Sequence, residues 1–568
     1  MNRRQLFQSL SPTKLDMEDR SQAIPVGGGL NPYTGTWNYA TAAHLLRRAM
    51  FGPTHEQIKQ AVSDGLNATI TKLFTKTANP SPPLTYANNV IDPYSALGET
   101  WVGKRFTPSV QGLNQLRDNS LFSWALQNAF NEGVSITEKM MLFWHNHFVV
   151  SDIYLANLSY DYLSTIRKNV LGDFKQMAKD ITVDGAMLMY LNGETNTKVA
   201  PNENYARELM ELFTLGKGEL AGPGDYTTYT EQDILAIAKV LTGWSVLQNR
   251  DPTDGSVLTT VKFNTNPRNG QPQSNHDTTT KQLSARFNFA TIANANEKEY
   301  ENLIDIIFQK REAATFICRK FYRYFVYYKV DLAIENDIID GLADILIAND
   351  FKVDSVLRKL LSSDHFYSNE AYGAIIRPPY DWFFNTVKAM KMAKQTDMSL
   401  VYNLFLSAYR NILPQSQAYF GLPSVAGWPA YYQEPAYHEI WVNSISYPLR
   451  YTFGQTLINK KFGFRINGQG SQIYGVEVAE YAAGFDTPGD ATKLVADIVA
   501  HLLPQAIQQS QLDFLKAKLL GNMTEAQWLT TWNTYKNNPS NVPAKTAVET
   551  RLRPFLVTLT SMPEYHLS

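Results

Sequence analysis

Two histidines in the segment FWHNHFVVS, His145 and His147, are the first residues whose types point to chemistry. Imidazole rings bind zinc or iron and exchange protons near neutral pH. Positions two apart in a helix lie ~200° from one another around its axis, so one metal ion does not readily take both rings. We therefore expect one of the two to face any site. The alternative is a pair of core histidines that are hydrogen-bonded to backbone or carboxylate groups.

The segment NENYARELMELFTLG carries a second set of polar residues. Asn204, Arg207, Glu208 and Glu211 follow the i, i+3, i+4, i+7 spacing and so form one stripe of a predicted helix. In the functional interpretation both glutamates turn inward. One of them binds a metal or acts as a base and Arg207 holds the other, because buried carboxylates need partners. In the alternative interpretation the stripe is a solvated face with ordinary ion pairs.

The third set lies in NHDTTTK, where His276 and Asp277 precede Lys281. Polar loops carried on a rigid scaffold commonly complete functional sites. The alternative is a turn in which Asn275 and Asp277 bind their own backbone.

In AAHLLRRAMFGPT, His44 shares a predicted helix face with Arg47 and Arg48. That face suits an anion site or a structural ion pair equally well. The only cysteine, Cys318, excludes an intramolecular disulfide and a Cys-rich metal site, so we expect it to be a small buried residue. The patterns HExxH, GxSxG and GxxxxGKS/T are absent, which disfavours zincin peptidases, α/β-hydrolases and P-loop enzymes.

These residues lead to the hypothesis of a metal-dependent, hydrolase-like enzyme. The candidate metal ligands are His145, His147, His276 and Asp277, joined by one of Glu208 and Glu211. The candidate catalytic residues are Glu208, Glu211, Arg207 and Lys281, and further polar positions are His44, Arg47 and Asn204. A zinc or iron ion accepts mixed imidazole and carboxylate ligands and lowers the pKa of bound water. The glutamate left over would be the base, and Arg207 or Lys281 would stabilise developing negative charge.

Two other functions remain open. Two histidines and one carboxylate also describe a non-haem iron oxidoreductase. A non-catalytic envelope or assembly factor would instead dock a protein or glycan on the aromatic segment 412–446, where GWPAYYQEPAYHEIW is rich in Tyr and Trp.

The amino-acid composition indicates what kind of protein carries these side chains. With 568 residues and 44% hydrophobic content the chain can bury a large core, which excludes a mainly disordered protein. Its 52 Lys and Arg against 53 Asp and Glu leave no basic surplus, so we expect no nucleic-acid partner. No run of ~18 apolar residues occurs, so no transmembrane helix is predicted and a soluble chain is expected.

Most segments from residue 38 onward have the 3.6-residue apolar period of helices. The predicted helices are 38–50, 55–65, 112–132, 136–150, 160–187 with a break near Gly172, 202–215, 231–243, 298–329, 332–348, 353–362, 380–394, 398–411, 488–519 with a break near Pro504, 524–537 and 543–561. Capping boxes are predicted for Thr54 with Gln57, Ser135 with Glu138 and, more weakly, Thr230 with Asp233.

We therefore predict a mainly α protein, a large multi-helix single domain over 38–568 that follows an extended leader over 1–37. The alternating runs VLTTVKF and QLSARFNF predict a small β-hairpin excursion within 250–296. The prolines of 412–446 predict an ordered aromatic loop there.

The leader begins MNRRQLF, and Arg3-Arg4 is similar to the start of a twin-arginine export signal. Charged residues and Pro12 stand where an apolar h-region should follow, which favours a retained leader. The expected location is cytoplasmic, or periplasmic if the arginine pair is an export signal.

Seven segments, in order and spacing, resemble a bacterial family known by number, the domain-of-unknown-function family 1800. They are HLLRRAMFGPT, KMMLFWHNHFVVS, NENYARELMELFTLG with YTEQDILAIAKVLTGW, the loop at His276, RPPYDWF, GLPSVAGWP and LTSMPEYHLS. The polar positions that match are His44, Arg47, His145, His147, Asn204, Arg207, Glu208, Glu211, His276, Asp277 and Lys281. The resemblance implies a large, mostly helical protein, often with a twin-arginine-like start, and attaches no activity. The missing h-region departs from members that look exported.

Overall fold

A computed structural model describes residues 23–87, 89–153, 155–266, 270–466 and 470–568. The Arg3-Arg4 pair and most of the predicted leader lie outside the described residues. Among the described helices, none is both long and apolar enough to cross a bilayer. The helical fold class predicted from the apolar period is confirmed.

The first half of the chain follows the predicted helices closely. Its helices are α1 (Tyr39–Ala49), α2 (His55–Asp64), α3 (Leu66–Leu73), α4 (Leu113–Asn131), α5 (Thr137–His147), α6 (Ala156–Asn169), α7 (Phe174–Thr182), α8 (Gly185–Tyr190), α9 (Asn204–Glu208) and α10 (Glu231–Val240). The break near Gly172 is confirmed. The predicted helix 202–215 is α only over α9 and continues as a π-helix over Leu209–Thr214, where Thr214 Oγ1 donates to Leu209 O at 2.5 Å.

The second half is helical as well. Its helices are α11 (Glu299–Ile307), α12 (Arg311–Phe325), α13 (Leu332–Ile334), α14 (Asp340–Ala348), α15 (Val353–Leu361), α16 (Pro379–Val387), α17 (Met398–Ile412), α18 (Ser446–Ile458), α19 (Val478–Ala482), α20 (Ala491–Leu502), α21 (Gln509–Leu520), α22 (Glu525–Asn537) and α23 (Val542–Thr560). A π-helical segment, Glu335–Ile339, joins α13 to α14. The predicted helix 298–329 is two helices, α11 and α12, and α3, α18 and α19 were not predicted.

The strands of the described chain form four antiparallel pairs. They are β1 (Leu220–Gly222) with β2 (Asp225–Tyr226), β3 (Trp244–Arg250) with β4 (Val257–Phe263), β5 (Lys281–Gln282) with β6 (Thr291–Ile292), and β7 (Phe462–Ile466) with β8 (Gly470–Tyr474). The hairpin excursion is confirmed, although it begins earlier, at Trp244. VLTTVKF is β4, whereas QLSARFNF is mostly not a strand, because the Asp233 carboxylate binds Ser284 N and Oγ, each at 2.7 Å, and ties this segment to α10.

Two of the three predicted capping boxes form. Thr54 caps α2 and Thr230 caps α10, each with the reciprocal side-chain bond three residues on. The predicted box of Ser135 with Glu138 is wrong. Ser135 Oγ accepts from Thr137 N at 3.1 Å, and the Glu138 carboxylate lies 2.7 Å from Arg167 Nη1 instead.

The core places four segments around one cavity. Helix α5 is buried on nearly all sides, with Met140 and Trp144 both fully inaccessible. Helix α12 is also central: Cys318 is fully buried, as predicted, and burial raises the pKa of its thiol. The π-helix after α9 and the 412–446 loop close the space between α5 and α12. The loop contains short 3-10 turns at Pro429–Tyr431 and Tyr437–Trp441.

Candidate functional site

A cavity of about 550 Å³ lies where α5, the π-helix, α12 and the aromatic loop meet. Small-molecule sites typically measure roughly 300–1,000 Å³. The residues of its lining that matter for chemistry are His147, Glu211, Phe316, Lys320, Arg323 and Tyr431. Two of them, His147 and Glu211, belong to the residues singled out from the sequence. We call this space the main cavity.

Lys320 is a basic group in the wall of the main cavity, and three close contacts hold its side chain. Its Nζ donates to Leu212 O at 2.9 Å, lies 3.0 Å from His147 Nδ1 and stands 4.6 Å from the centroid of the Phe316 ring. Burial, with a smaller contribution from the charge of Arg323, lowers the pKa of Lys320 to about 7. At neutral pH the side chain is therefore present both as ammonium and as free amine.

His147 fixes the direction of that amine. Its Nε2 lies 3.0 Å from Phe213 O, and a carbonyl oxygen only accepts, so Nε2 carries the hydrogen of the neutral ring and Nδ1 accepts. Burial and the charge of Lys320 lower the pKa of His147 well below its usual range, which keeps the ring neutral. The two hydrogens of a neutral Lys320 amine are then taken by Nδ1 and Leu212 O, and its lone pair remains free.

Glu211 supplies a carboxylate to the same cavity. Tyr229 donates its hydroxyl hydrogen to Glu211 Oε1, which also lies 3.4 Å from Lys217 Nζ and 3.7 Å from Arg207 Nη1. Arg207 binds Glu231 more closely, at 2.7 and 2.8 Å. Glu211 is therefore held inside the cavity wall, chiefly by Tyr229 and not by the arginine that the helical spacing indicated.

The other two members of the predicted stripe lie outside this arrangement. Asn204 is exposed at the start of α9, where its backbone N–H donates to Asn202 Oδ1 at 2.9 Å. Glu208 is half-buried, and burial together with the charge of Glu211 raises the pKa of its carboxyl. The charged form of Glu208 is thus disfavoured where it stands.

Replacing Glu208 by Gln is expected to leave the free energy of unfolding within ~1 kcal/mol of wild type at pH 7 or to raise it, because it removes a like charge. Urea unfolding measures the change. Glu231→Gln is the matched control, since it removes the bidentate partner of Arg207 and should lose ~0.5–1 kcal/mol. A loss above ~2 kcal/mol in Glu208→Gln would mean that its carboxylate has a stabilising partner.

His145 is a core histidine. Its Nδ1 lies 3.0 Å from the Tyr162 hydroxyl, and its Nε2 accepts from Phe420 N at 2.9 Å. Burial lowers its pKa to about 3. Both ring nitrogens of His145 are therefore used in hydrogen bonds within the core.

His276 belongs to a separate buried cluster. Its Nδ1 lies 2.9 Å from Thr242 O and its Nε2 lies 3.0 Å from Glu299 Oε2. Lys281 Nζ approaches the other carboxylate oxygen at 2.6 Å and also donates to Asp277 O. Asp277 forms the predicted turn, accepting from Thr279 N at 2.8 Å.

The predicted ligands do not fit a zinc or iron ion. His145, His147 and His276 use both ring nitrogens in other contacts, and a metal ligand needs a free lone pair. Over the described ranges, no three His, Cys, Asp or Glu side chains are grouped so that they could hold a metal ion. Binding of zinc or iron stays a prediction. Among the described residues, those proposed as ligands do not form a set that could hold the ion.

On the face of α1 that carries His44 and the two arginines, the side chains bind backbone oxygens of other segments. His44 Nε2 lies 3.0 Å from Phe366 O, and the ring stacks on Tyr372. Arg47 Nη2 donates to Ala500 O at 2.7 Å and His501 O at 2.8 Å.

The aromatic loop turns inward. Trp428 is 0% and Trp441 2% exposed, so neither is available to a docking partner, while Tyr431 lines the main cavity. The envelope-factor hypothesis requires exposed aromatic side chains, and the two tryptophans of this loop are buried.

Sequence reasoning missed Lys320 and Arg323. A signal was present: TFICRKFYRYF places Arg319, Lys320 and Arg323 in an otherwise aromatic and apolar helix. Cations in such a helix are either buried with partners or line a cavity.

Comparison with known proteins identifies a family. A family model described as "Protein of unknown function (DUF1800)" matches residues 44–567. No curated protein and no solved structure matches the chain.

Proposed function

We propose a function for this chain, which belongs to the DUF1800 family. The main cavity is the active site of an enzyme that acts on a small carbonyl compound through the amine of Lys320. The observation that carries the proposal is the placement of Nζ between His147 Nδ1 and Leu212 O. These contacts orient the amine without neutralising a charge on it. A lysine so placed is suited to nucleophilic attack.

In the proposed reaction the Lys320 lone pair forms a bond to the carbonyl carbon. The amine nitrogen loses its two protons, the carbonyl oxygen takes up two and leaves as water, and the remaining carbon–nitrogen double bond is an imine. Only the neutral amine attacks, and at pH 7 about half of a group with a pKa near 7 is neutral, against roughly one in 3,000 for an ordinary lysine. The lowered pKa therefore makes the neutral, nucleophilic form of Lys320 far more abundant at pH 7 than that of an ordinary lysine.

Two neighbours assist in this proposal. His147 is a positioning residue, because it acts on the substrate only through Lys320. Glu211 lines the same cavity and carries a carboxylate that can pass protons to and from the reacting oxygen. The hydrolase and iron oxidoreductase hypotheses lack such support. His276 is bound in a separate cluster by Thr242 and Glu299. Both ring nitrogens of His147 are used in other contacts.

Reductive trapping with an aldehyde tests the proposal. The full chain is incubated with pyridoxal and cyanoborohydride at pH 6–10, and the modified lysines are identified by peptide mass spectrometry. Lys320 is expected to react first, with a pH midpoint near 7, and Lys320→Arg is expected to abolish that product.

Lys217→Arg is the matched control. Lys217 lines the same cavity but is 49% exposed, and its pKa is raised, since burial is outweighed by hydrogen bonding with Tyr226 and by the charge of Glu211. This variant should leave labelling of Lys320 unchanged. Equal labelling of Lys217 and Lys320, or a midpoint near 10 for Lys320, would refute the proposal.

A further inference from the structure

A second, smaller cavity of about 30 Å³ adjoins the main cavity. Its charged lining consists of Arg47, Arg48, Lys139, Arg323 and one acid, Asp381. It shares Arg323, Tyr324 and Tyr431 with the main cavity. Its volume admits one or two water-sized groups, and its lining is strongly cationic.

Two more arginines add to the positive charge. Arg377 and Arg450 are both buried, and both lie close enough to Asp381 for its charge to raise their pKa. Burial is nevertheless the dominant effect and lowers the pKa of Arg450 to about 9. Asp381 is already bound by Lys139 Nζ. The region therefore holds six cationic side chains around a single acidic side chain, Asp381, and the last residue of the sequence, Ser568, lies in the same lining.

Backbone carbonyls account for part of this arrangement. Arg48 Nη2 donates to Ala371 O at 2.8 Å, and Arg377 Nη2 donates to Leu502 O at 2.9 Å. Arg48 Nη2 also donates, at 2.8 Å, to the oxygen of Ser568, the last residue of the sequence. Such contacts are those of structural arginines. The peptide carbonyls of Ala371 and Leu502 carry no net charge, so the contacts with them do not balance the charge of the two arginines.

Arg450 lacks even these contacts. Its side chain is 0% exposed, and neither Nε, Nη1 nor Nη2 has a hydrogen-bond partner among the described residues. Arg377 Nη1 and the Nε atoms of Arg47 and Arg48 are likewise without one there. An unpaired buried guanidinium is strongly destabilising, so Arg450 above all calls for an acceptor that the described residues do not supply.

We propose that this cationic cluster binds an oxyanion. The planar forks of Arg377 and Arg450 match carboxylate and phosphate groups, which accept two parallel hydrogen bonds from a guanidinium. The anion is either free in solution, as inorganic phosphate is, or part of a larger molecule that occupies the main cavity.

The shared wall favours the larger molecule. Arg323 follows Lys320 by three positions in α12, so both side chains lie on one face of that helix, one turn apart. A compound with its carbonyl at Lys320 would place an anionic group beside Arg323, at the entrance to the smaller cavity. This assignment of a substrate class, anionic carbonyl compounds, rests on the proposed function, whereas the anion site does not.

Titration with inorganic phosphate tests the anion site. Calorimetry and thermal unfolding of the full chain in a buffer free of other oxyanions should show binding, and a concentration of 100 times Kd should raise Tm by roughly 2 °C. Arg450→Met should weaken binding by roughly 10- to 100-fold, since charge-assisted hydrogen bonds are lost. Arg410→Met, an exposed arginine of α17, should change nothing.

Absence of phosphate binding to wild type, or equal binding to Arg450→Met, would overturn the anion site. Should Arg450→Met fail to fold, Arg323→Met carries the same test, because Arg323 lies half-buried between the two cavities. It should also bind phosphate at least ~10-fold more weakly.

Labelling with pyridoxal 5′-phosphate and with pyridoxal distinguishes the two sources of the anion. We expect the phosphate-bearing aldehyde to trap Lys320 at least ~10-fold faster, a preference that Arg323→Met and inorganic phosphate both abolish. Trapping by both aldehydes at equal rates would leave the proposed function standing and overturn the substrate class. Phosphate binding without any trapping of Lys320 would keep the anion site and overturn the proposed function.

Discussion

Glu299→Ala is expected to lower the free energy of unfolding by about 3–5 kcal/mol. Glu299 has no exposed side-chain surface and lies between two partners that are equally inaccessible, His276 at 3.0 Å and Lys281 at 2.6 Å. Removing the carboxylate leaves His276 Nε2 and Lys281 Nζ in the core without the acceptor that both now contact. The effect is large because the remaining side chains cannot reach water.

Urea unfolding of wild type and variant measures this loss. Glu301→Ala is the matched control on the same helix, α11, since Glu301 is 32% exposed and pairs with the exposed Lys298. It should cost less than ~1 kcal/mol. A cost below ~1 kcal/mol for Glu299→Ala would show that His276 and Lys281 are not held by this carboxylate.

Lys320→Met is expected to change stability in a pH-dependent way. The pKa of Lys320 is lowered to about 7 in the folded chain, whereas an unfolded lysine titrates near 10.4. Between these values the unfolded chain holds one more proton than the folded chain, so wild-type stability rises with pH there. Below pH 7 both states are protonated, and the full cost of burying the ammonium is present.

Methionine has no such cost. The variant should therefore be as stable as wild type at pH 6, or more stable. Its advantage should then fall by roughly 1.4 kcal/mol per pH unit between pH 7 and 10. Urea unfolding of both proteins at pH 6, 7, 8 and 9 gives the difference directly.

Lys217→Met provides the comparison, because its raised pKa places any such dependence above this window. The difference between Lys217→Met and wild type should be constant from pH 6 to 9. A constant difference for Lys320→Met as well would show that Lys320 is an ordinary, hydrated lysine and would remove the chemical basis of the proposed active site.

The helices could be predicted because their signals are local. The predicted 38–50 and 112–132 agree with Tyr39–Ala49 and Leu113–Asn131 to within a residue at each end, and the breaks near Gly172 and Pro504 were found. The helix Ser446–Ile458 was missed because it follows a proline-rich loop and contains Pro448 itself. Its position depends on packing against α16 and α23.

The candidate site could be predicted only in part. The sequence indicated His147 and Glu211, and they meet in one cavity, but it also grouped His276 with them. Periodicity assigns a residue to a face of its own helix and does not reveal what packs against that face. Glu299, which holds His276, lies 23 positions further along the chain.

The amino-acid sequence by itself determined the helical class, most helix ends, the family and a few polar positions, because these follow from residue type and near-neighbour spacing. Only the tertiary structure decided which of those positions share a cavity. Lys320 is an ordinary lysine in the printed sequence, and its character arises from contact with His147, 173 residues away, and Leu212, 108 residues away. Segments remote in the chain bury Lys320 and supply its hydrogen-bond partners, so no local sequence pattern encodes its lowered pKa.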